Sequence, residues 1–200
     1  MNDINFKEAI EYELRAASYG TRVPYSHVTY GVQVLTEDIR VADDEIILAC
    51  IICTLGLESY DKRREPVENA YGNRVKQIIS EFSRCLFRDD WRSSKKEELR
   101  RQIEHYRIIS KDASNVVMVA ITTDVRCQKD SFCSVDDVGY FLWCRKCLEN
   151  MQTADAQYKK KLIDSIDNYV DGERTSPLDD ESRARLLEAY LQSPEAEKNE

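Results

Sequence analysis

The chain has 200 residues, a formal net charge of −8, 33% charged and 42% hydrophobic residues, and only six glycines and four prolines. That length suits one domain with a real core, and the scarcity of turn formers favours helices over a turn-rich β architecture. The negative field repels phosphate backbones and so argues against nucleic acid as a partner, and no stretch approaches the roughly 20 apolar residues of a membrane span.

The N-terminus "MNDINFKEAIEYEL" has no basic region followed by an apolar run, so the expectation is a soluble, cytoplasmic protein. Seven cysteines are an odd number in such a chain. Reduced thiols serving mainly as small core residues are expected, rather than a disulfide framework.

In chain order, Phe6, Ile10, Leu14 and Ala17 recur at helical spacing and predict a first amphipathic helix. Gly20 and Pro24 break it, and a second helix runs through Tyr30, Val34 and Leu35, with His27 near its start. Asp43, Asp44 and Glu45 suit a helix N-terminus and lead into an almost unbroken apolar run, which predicts a helix buried on most sides. Val67, Tyr71, Val75, Ile78, Ile79 and Phe82 mark the next helix, and Leu99, Ile103 and Tyr106 another. Between them "RCLFRDDWRSSKKEE" reads as a loop.

The segment "DASNVVMVAITTDV" predicts a second central helix, with a strand as the alternative because of its β-branched content. Ser134, Asp136 and Asp137 open a helix through Val138, Phe141, Leu142, Leu148 and Met151; Tyr158, Leu162, Ile166 and Tyr169 mark one more. The tail restarts at "SPLDDESRARLLEAYL", with Ser176 as N-cap and Pro177 as first helical residue.

Taken together, "RVPYSHVTYGVQVL", "ILACIICTLGLES", "ENAYGNRVKQIISEF" and "RRQIEHYRIISKDASNVVMVAITTDVRCQ" follow one order and spacing. In these segments, over roughly residues 5 to 170, the chain resembles the HD-domain alarmone (ppGpp) hydrolases, particularly their small stand-alone members of metazoan type. The resemblance implies an all-α, HD-domain-like bundle of about eight to ten helices. It divides the chain into an HD-like domain over 1–172 and a C-terminal helix with an acidic tail over 173–200.

In that family a divalent ion is held by a His in "PY-x-HP", a His-Asp pair in "AALLHDxxEDT" and an Asp in "LADKLYNLRD". Such ligands lower the pKa of a bound water and polarise a phosphoryl oxygen. Here "PYSHV" keeps His27, but Cys53 and Thr54 stand at the His-Asp pair, Leu57 and Glu58 at the acidic pair, and Ala120 at the last Asp. A lone imidazole does not hold a catalytic ion, because affinity comes from several converging ligands. The resemblance therefore implies a pseudoenzyme with no catalytic residues, no metal and no cofactor. If a nucleotide cleft survives, Arg22, His27, Asp124 and Arg126 line it by position.

The expected function is binding, either of a protein partner or of a nucleotide such as an alarmone, with a homodimer as one form. One alternative is a metal-dependent nucleotide phosphohydrolase with a site rebuilt from His27, Cys53, Glu58 and Asp124. Another is a plain interaction module with a filled cleft. Cys50 with Cys53, and Cys144 with Cys147, also form two C-x-x-C pairs that could make a zinc site if two helices met face to face. The plainer readings are a structural His27, a solvated Glu58, and a solvated Lys62–Arg63–Arg64 run balanced by Asp61 and Glu65.

Overall fold

Acidic residues start the buried helix as expected. Asp43 Oδ1 accepts the backbone N–H groups of Glu45 and Ile46 at 3.0 and 3.4 Å, and Asp44–Thr54 then runs as α2, with seven of its residues buried. A helix apolar all round must be enclosed by others, and the computed structural model supplies them. It describes residues 5, 7–11, 13, 25–54, 71–85, 94–128, 135–172 and 176–192, except the side chains of 25, 27, 127, 128 and 135–137.

Among these residues the architecture is an all-α bundle: α1 (Tyr25–Gln33), a π-helical turn (Val34–Asp38), α2, α3 (Gly72–Cys85), α4 (Lys95–Ile108), α5 (Lys111–Gln128), α6 (Val135–Asn150), α7 (Ala156–Asp171) and α8 (Asp180–Gln192). Residues 7–11 and 13 are helical too, where the first amphipathic helix is expected; Phe6, Leu14 and Ala17 lie outside the described residues. No described helix is long and apolar enough to cross a membrane.

The central element is α5, buried without a break from Ala113 to Val119 and packed by α1, α2, α3 and α7. The strand alternative for this segment is thus excluded: propensity is a weak prior, and burial among four helices outweighs the β-branched content of Val116, Val117, Val119 and Ile121. Gly31 lets α1 approach closely, since a Cβ there would meet Val119 Cγ1 at 3.2 Å and Thr54 Cγ2 at 3.5 Å. The amphipathic α3 buries Val75, Ile78, Ile79, Phe82 and Cys85, and α6 packs on α4, α7 and α8.

Several boundaries differ from the sequence reading: Tyr71 lies before α3, Met151 lies just past α6, and Val34 and Leu35 fall in the π-helical turn rather than in α1. Ser94 and Glu97 form a capping box at the start of α4, each bonding the other's backbone N–H, so "SKKEE" belongs to a helix and its N-cap rather than to a loop. Asp179, not Ser176, caps α8: its carboxylate accepts the Ser182 N–H at 2.7 Å. Pro177 lies before the helix, and the Leu178 N–H donates to Asp171 Oδ1 at 3.0 Å, tying the connection to the end of α7.

The last helix packs on the body through α6 and α4. Tyr190 lies directly over Gly139, edge-on to Trp143 with centroids 6.2 Å apart. Arg183 anchors the other end of α8 on both carboxylate oxygens of Asp171, at 2.8 and 2.9 Å.

Candidate functional site

Four helices that meet at one level without filling the space between them enclose a cavity of about 280 Å³. Phe82 and Cys85 come from α3, Gln102 and Tyr106 from α4, Val117, Ala120, Ile121 and Asp124 from α5, and Tyr140, Trp143 and Cys144 from α6. Helical spacing explains the set: Gln102 and Tyr106 are one turn apart, as are Val117 with Ile121, Ala120 with Asp124, and Tyr140 with Cys144.

The wall is mostly apolar and aromatic, with its polar groups joined in short chains. Tyr140 donates its hydroxyl to Asp124 Oδ2 at 3.0 Å. Trp143 donates its indole N–H to Gln102 Oε1 at 2.8 Å, and Gln102 in turn donates to Glu98 at 3.3 Å. Glu98 is itself buried and ion-paired with Arg101.

Neighbouring acid and burial keep the other groups neutral. The Tyr140 phenol is pushed far above its ordinary value by the adjacent Cys144, by burial and by Asp124. Burial, aided by Asp124, pushes the Cys144 thiol up to about 12. Tyr106 and Cys85 are raised too, burial being the main cause in each. At neutral pH the wall presents one carboxylate position among neutral hydroxyls, thiols and rings.

The positions singled out from the sequence are only partly brought together. Ala120 and Asp124 share the cavity wall. Cys53 is 6% exposed on α2, its thiol raised by burial and by the nearby thiols of Cys50 and Cys85. Thr54 donates its hydroxyl back to the Cys50 carbonyl at 2.7 Å, and its methyl faces Gly31. Arg126 lies 3.8 Å from the centre of the Tyr30 ring, a cation–π contact directed at α1 and away from the cavity. Arg22, Leu57, Glu58 and the Lys62–Arg64 run lie outside the described residues, as does the His27 side chain.

The described part of this donor set does not fit a divalent ion. The Cys53 thiol is held in its protonated form, the Thr54 hydroxyl is committed to its own helix, and Ala120 has no donor atom. Among the described residues no three His, Cys, Asp or Glu side chains converge as metal ligands, and that includes the two C-x-x-C pairs, which sit apart on α2 and α6. A polyphosphate is served no better, since no Lys or Arg is among the described residues lining the cavity.

The residues that sequence reasoning missed are Gln102, Tyr106, Tyr140 and Trp143, whose helical spacing reads as ordinary core. The available signal was Gln102, a polar residue at a core position of α4 facing an aromatic stretch of α6. Compared with known protein families, curated proteins and solved structures, the chain has no match.

Proposed function

We propose that this chain is a catalytically inactive relative of the HD-domain alarmone hydrolases that works in the cytoplasm by binding rather than by turnover. What supports the reading is the state of the three described positions where that family carries ligands. A buried, protonated Cys53, a Thr54 hydroxyl bonded within its own helix, and Ala120 in an apolar wall are groups a helical core accommodates at low cost. Among the described residues five buried free thiols suit a reducing compartment.

A protein partner fits this reading better than a nucleotide, because the described cavity wall offers phosphate no counter-charge. The test is elemental analysis of protein purified without chelator, with ppGpp and NADPH hydrolysis assays in added manganese. The expected result is no stoichiometric metal and no turnover, with ppGpp binding absent by calorimetry. A stoichiometric metal together with turnover would overturn the proposal in favour of a site rebuilt around His27, Cys53, Glu58 and Asp124.

A further inference from the structure

Protein interiors hold few voids larger than a water molecule, because atoms that line a void lose their packing contacts. The space between α3, α4, α5 and α6 measures about 280 Å³. An apolar cavity of roughly 150 Å³ already stays dry and takes up a benzene ring. The volume lies near the lower end for ligand pockets, which suits a single ring system and excludes a whole nucleotide.

Polarity narrows the choice of occupant. Phe82, Tyr106, Val117, Ile121 and Trp143 form the inner wall, and none of them is more than 5% exposed. Polar groups of the wall bond within the protein: the Trp143 N–H to Gln102 Oε1, the Gln102 amide to Glu98 and the Tyr140 O–H to Asp124. Among the described residues the buried side-chain atoms with no hydrogen-bond partner are Asn115 Oδ1 and Arg183 Nε, and neither residue lines the cavity. A neutral, apolar occupant leaves those bonds intact. A charged one exchanges its hydration for a wall in which burial already keeps Cys85, Tyr106 and Cys144 in their neutral forms.

The rings favour an aromatic occupant over an aliphatic one. Phe82, Tyr106, Tyr140 and Trp143 come from three helices. Tyr140 meets Phe141 at 5.3 Å between centroids and Trp143 meets Tyr190 at 6.2 Å, and neither of those partners lines the cavity. A planar ring held among the lining rings can turn its edge to one and its face to another, contacts that add to the burial of apolar area. Ala120, Asp124 and Tyr140 are partly exposed while the other lining residues are buried, which sets the mouth at that edge.

We propose that this cavity binds a small neutral aromatic molecule, which enters past Ala120 and lies with its ring among Phe82, Tyr106 and Trp143. The inference rests on reading the cavity as a binding site and not a reaction chamber. Full-length protein is titrated with toluene, methylcyclohexane, benzylammonium and benzoate. The readout is the indole N–H resonance of Trp143, identified by its loss in Trp143→Phe. We expect toluene to shift it saturably and to bind at least about threefold more tightly than methylcyclohexane, which has the same size but no π face. Each ion should bind at least about threefold more weakly than toluene. Ala120→Leu places a longer side chain in the entrance and should weaken toluene binding about tenfold or more. Toluene should also raise the Tm of the parent chain and leave that of Ala120→Leu unmoved. Equal affinity for methylcyclohexane would mean a merely apolar space, tighter binding of benzylammonium a charge-selective site, and no saturable response to toluene no site; each result overturns the proposal. Hydrolysis of ppGpp with manganese would defeat the non-catalytic reading without touching this titration.

Discussion

Gly139→Ala probes how α8 is seated. A Cβ at Gly139 falls 2.5 Å from Tyr190 Cβ and closer still to two carbons of its ring. The overlap is with the root of the tyrosine side chain, so no rotamer change relieves it and α8 itself must shift. The ring would then lose its edge contact with Trp143, 6.2 Å between centroids, and the Lys95 ammonium 4.4 Å above it. Such contacts contribute about 0.5–1.5 and 0.5–1 kcal/mol respectively, and forcing a methyl into a filled contact costs about 1–3 kcal/mol. Against this stands about 1 kcal/mol of helix propensity gained when Gly becomes Ala. The expected net loss is about 1–4.5 kcal/mol, or a Tm lower by roughly 2–18 °C for a chain of this length. Urea denaturation of Gly139→Ala, Tyr190→Ala and the double variant gives the coupling. With the ring removed only the Cβ pair has to part, so the cost of Gly139→Ala should fall by about 1 kcal/mol. A Gly139→Ala chain more stable than the parent would refute the seating of Tyr190 in this notch.

Alkaline pH should destabilise the fold. Cys50 and Cys144 are raised from 9.0 to about 12, by burial and in Cys144 also by Asp124, so the folded chain retains protons that the unfolded chain releases. Stability is then full below about pH 9 and falls as pH climbs toward 12; a urea midpoint unchanged between pH 8.5 and 10.5 would contradict this. The five described thiols, Cys50, Cys53, Cys85, Cys144 and Cys147, are all buried and should resist Ellman's reagent until urea is added, so prompt labelling of any of them argues against their placement. Arg74 on α3 bonds Asp43 at 2.8 Å, Glu45 at 3.1 Å and Asp112 at 2.8 Å, tying the starts of α2 and α5 to α3. Since Arg74 is 41% exposed, Arg74→Met should cost only about 1 kcal/mol at low salt and less in 0.5 M NaCl; a loss indifferent to salt would show that packing, not charge, holds this corner.

Helix periodicity carried most of the fold from the residues alone. α3 shows why: Val75, Ile78, Ile79 and Phe82 form a single stripe, and that stripe is what is buried. The boundaries were harder, because local signals compete. Ser176-Pro177 offers a good start to a helix, yet the Leu178 N–H is used by Asp171 across the turn, and Asp179 takes the cap instead. At Ser94 the run of charges around it masked the Ser-x-x-Glu box. The cavity was nearly illegible, since Tyr106, Tyr140 and Trp143 keep the spacing of core residues and only three-dimensional placement shows that they surround a space. Likewise Gly139 reads in sequence as a weakness in α6, whereas its role depends on a tyrosine some fifty positions away.

The π-helical turn gives the chain slack. In this wide turn Ile39 N–H reaches back five residues to the Val34 carbonyl at 3.0 Å, taking one residue more than an α turn would. Arg40, with φ of 64°, then reverses direction into the short connection before α2. Removing one residue here would tighten the turn to ordinary α geometry, and the offset would be absorbed in the connection instead of rotating α2 by a third of a turn within the core. A one-residue deletion in this stretch should therefore cost less than one inside α2, where every buried face that follows would rotate away from its partners.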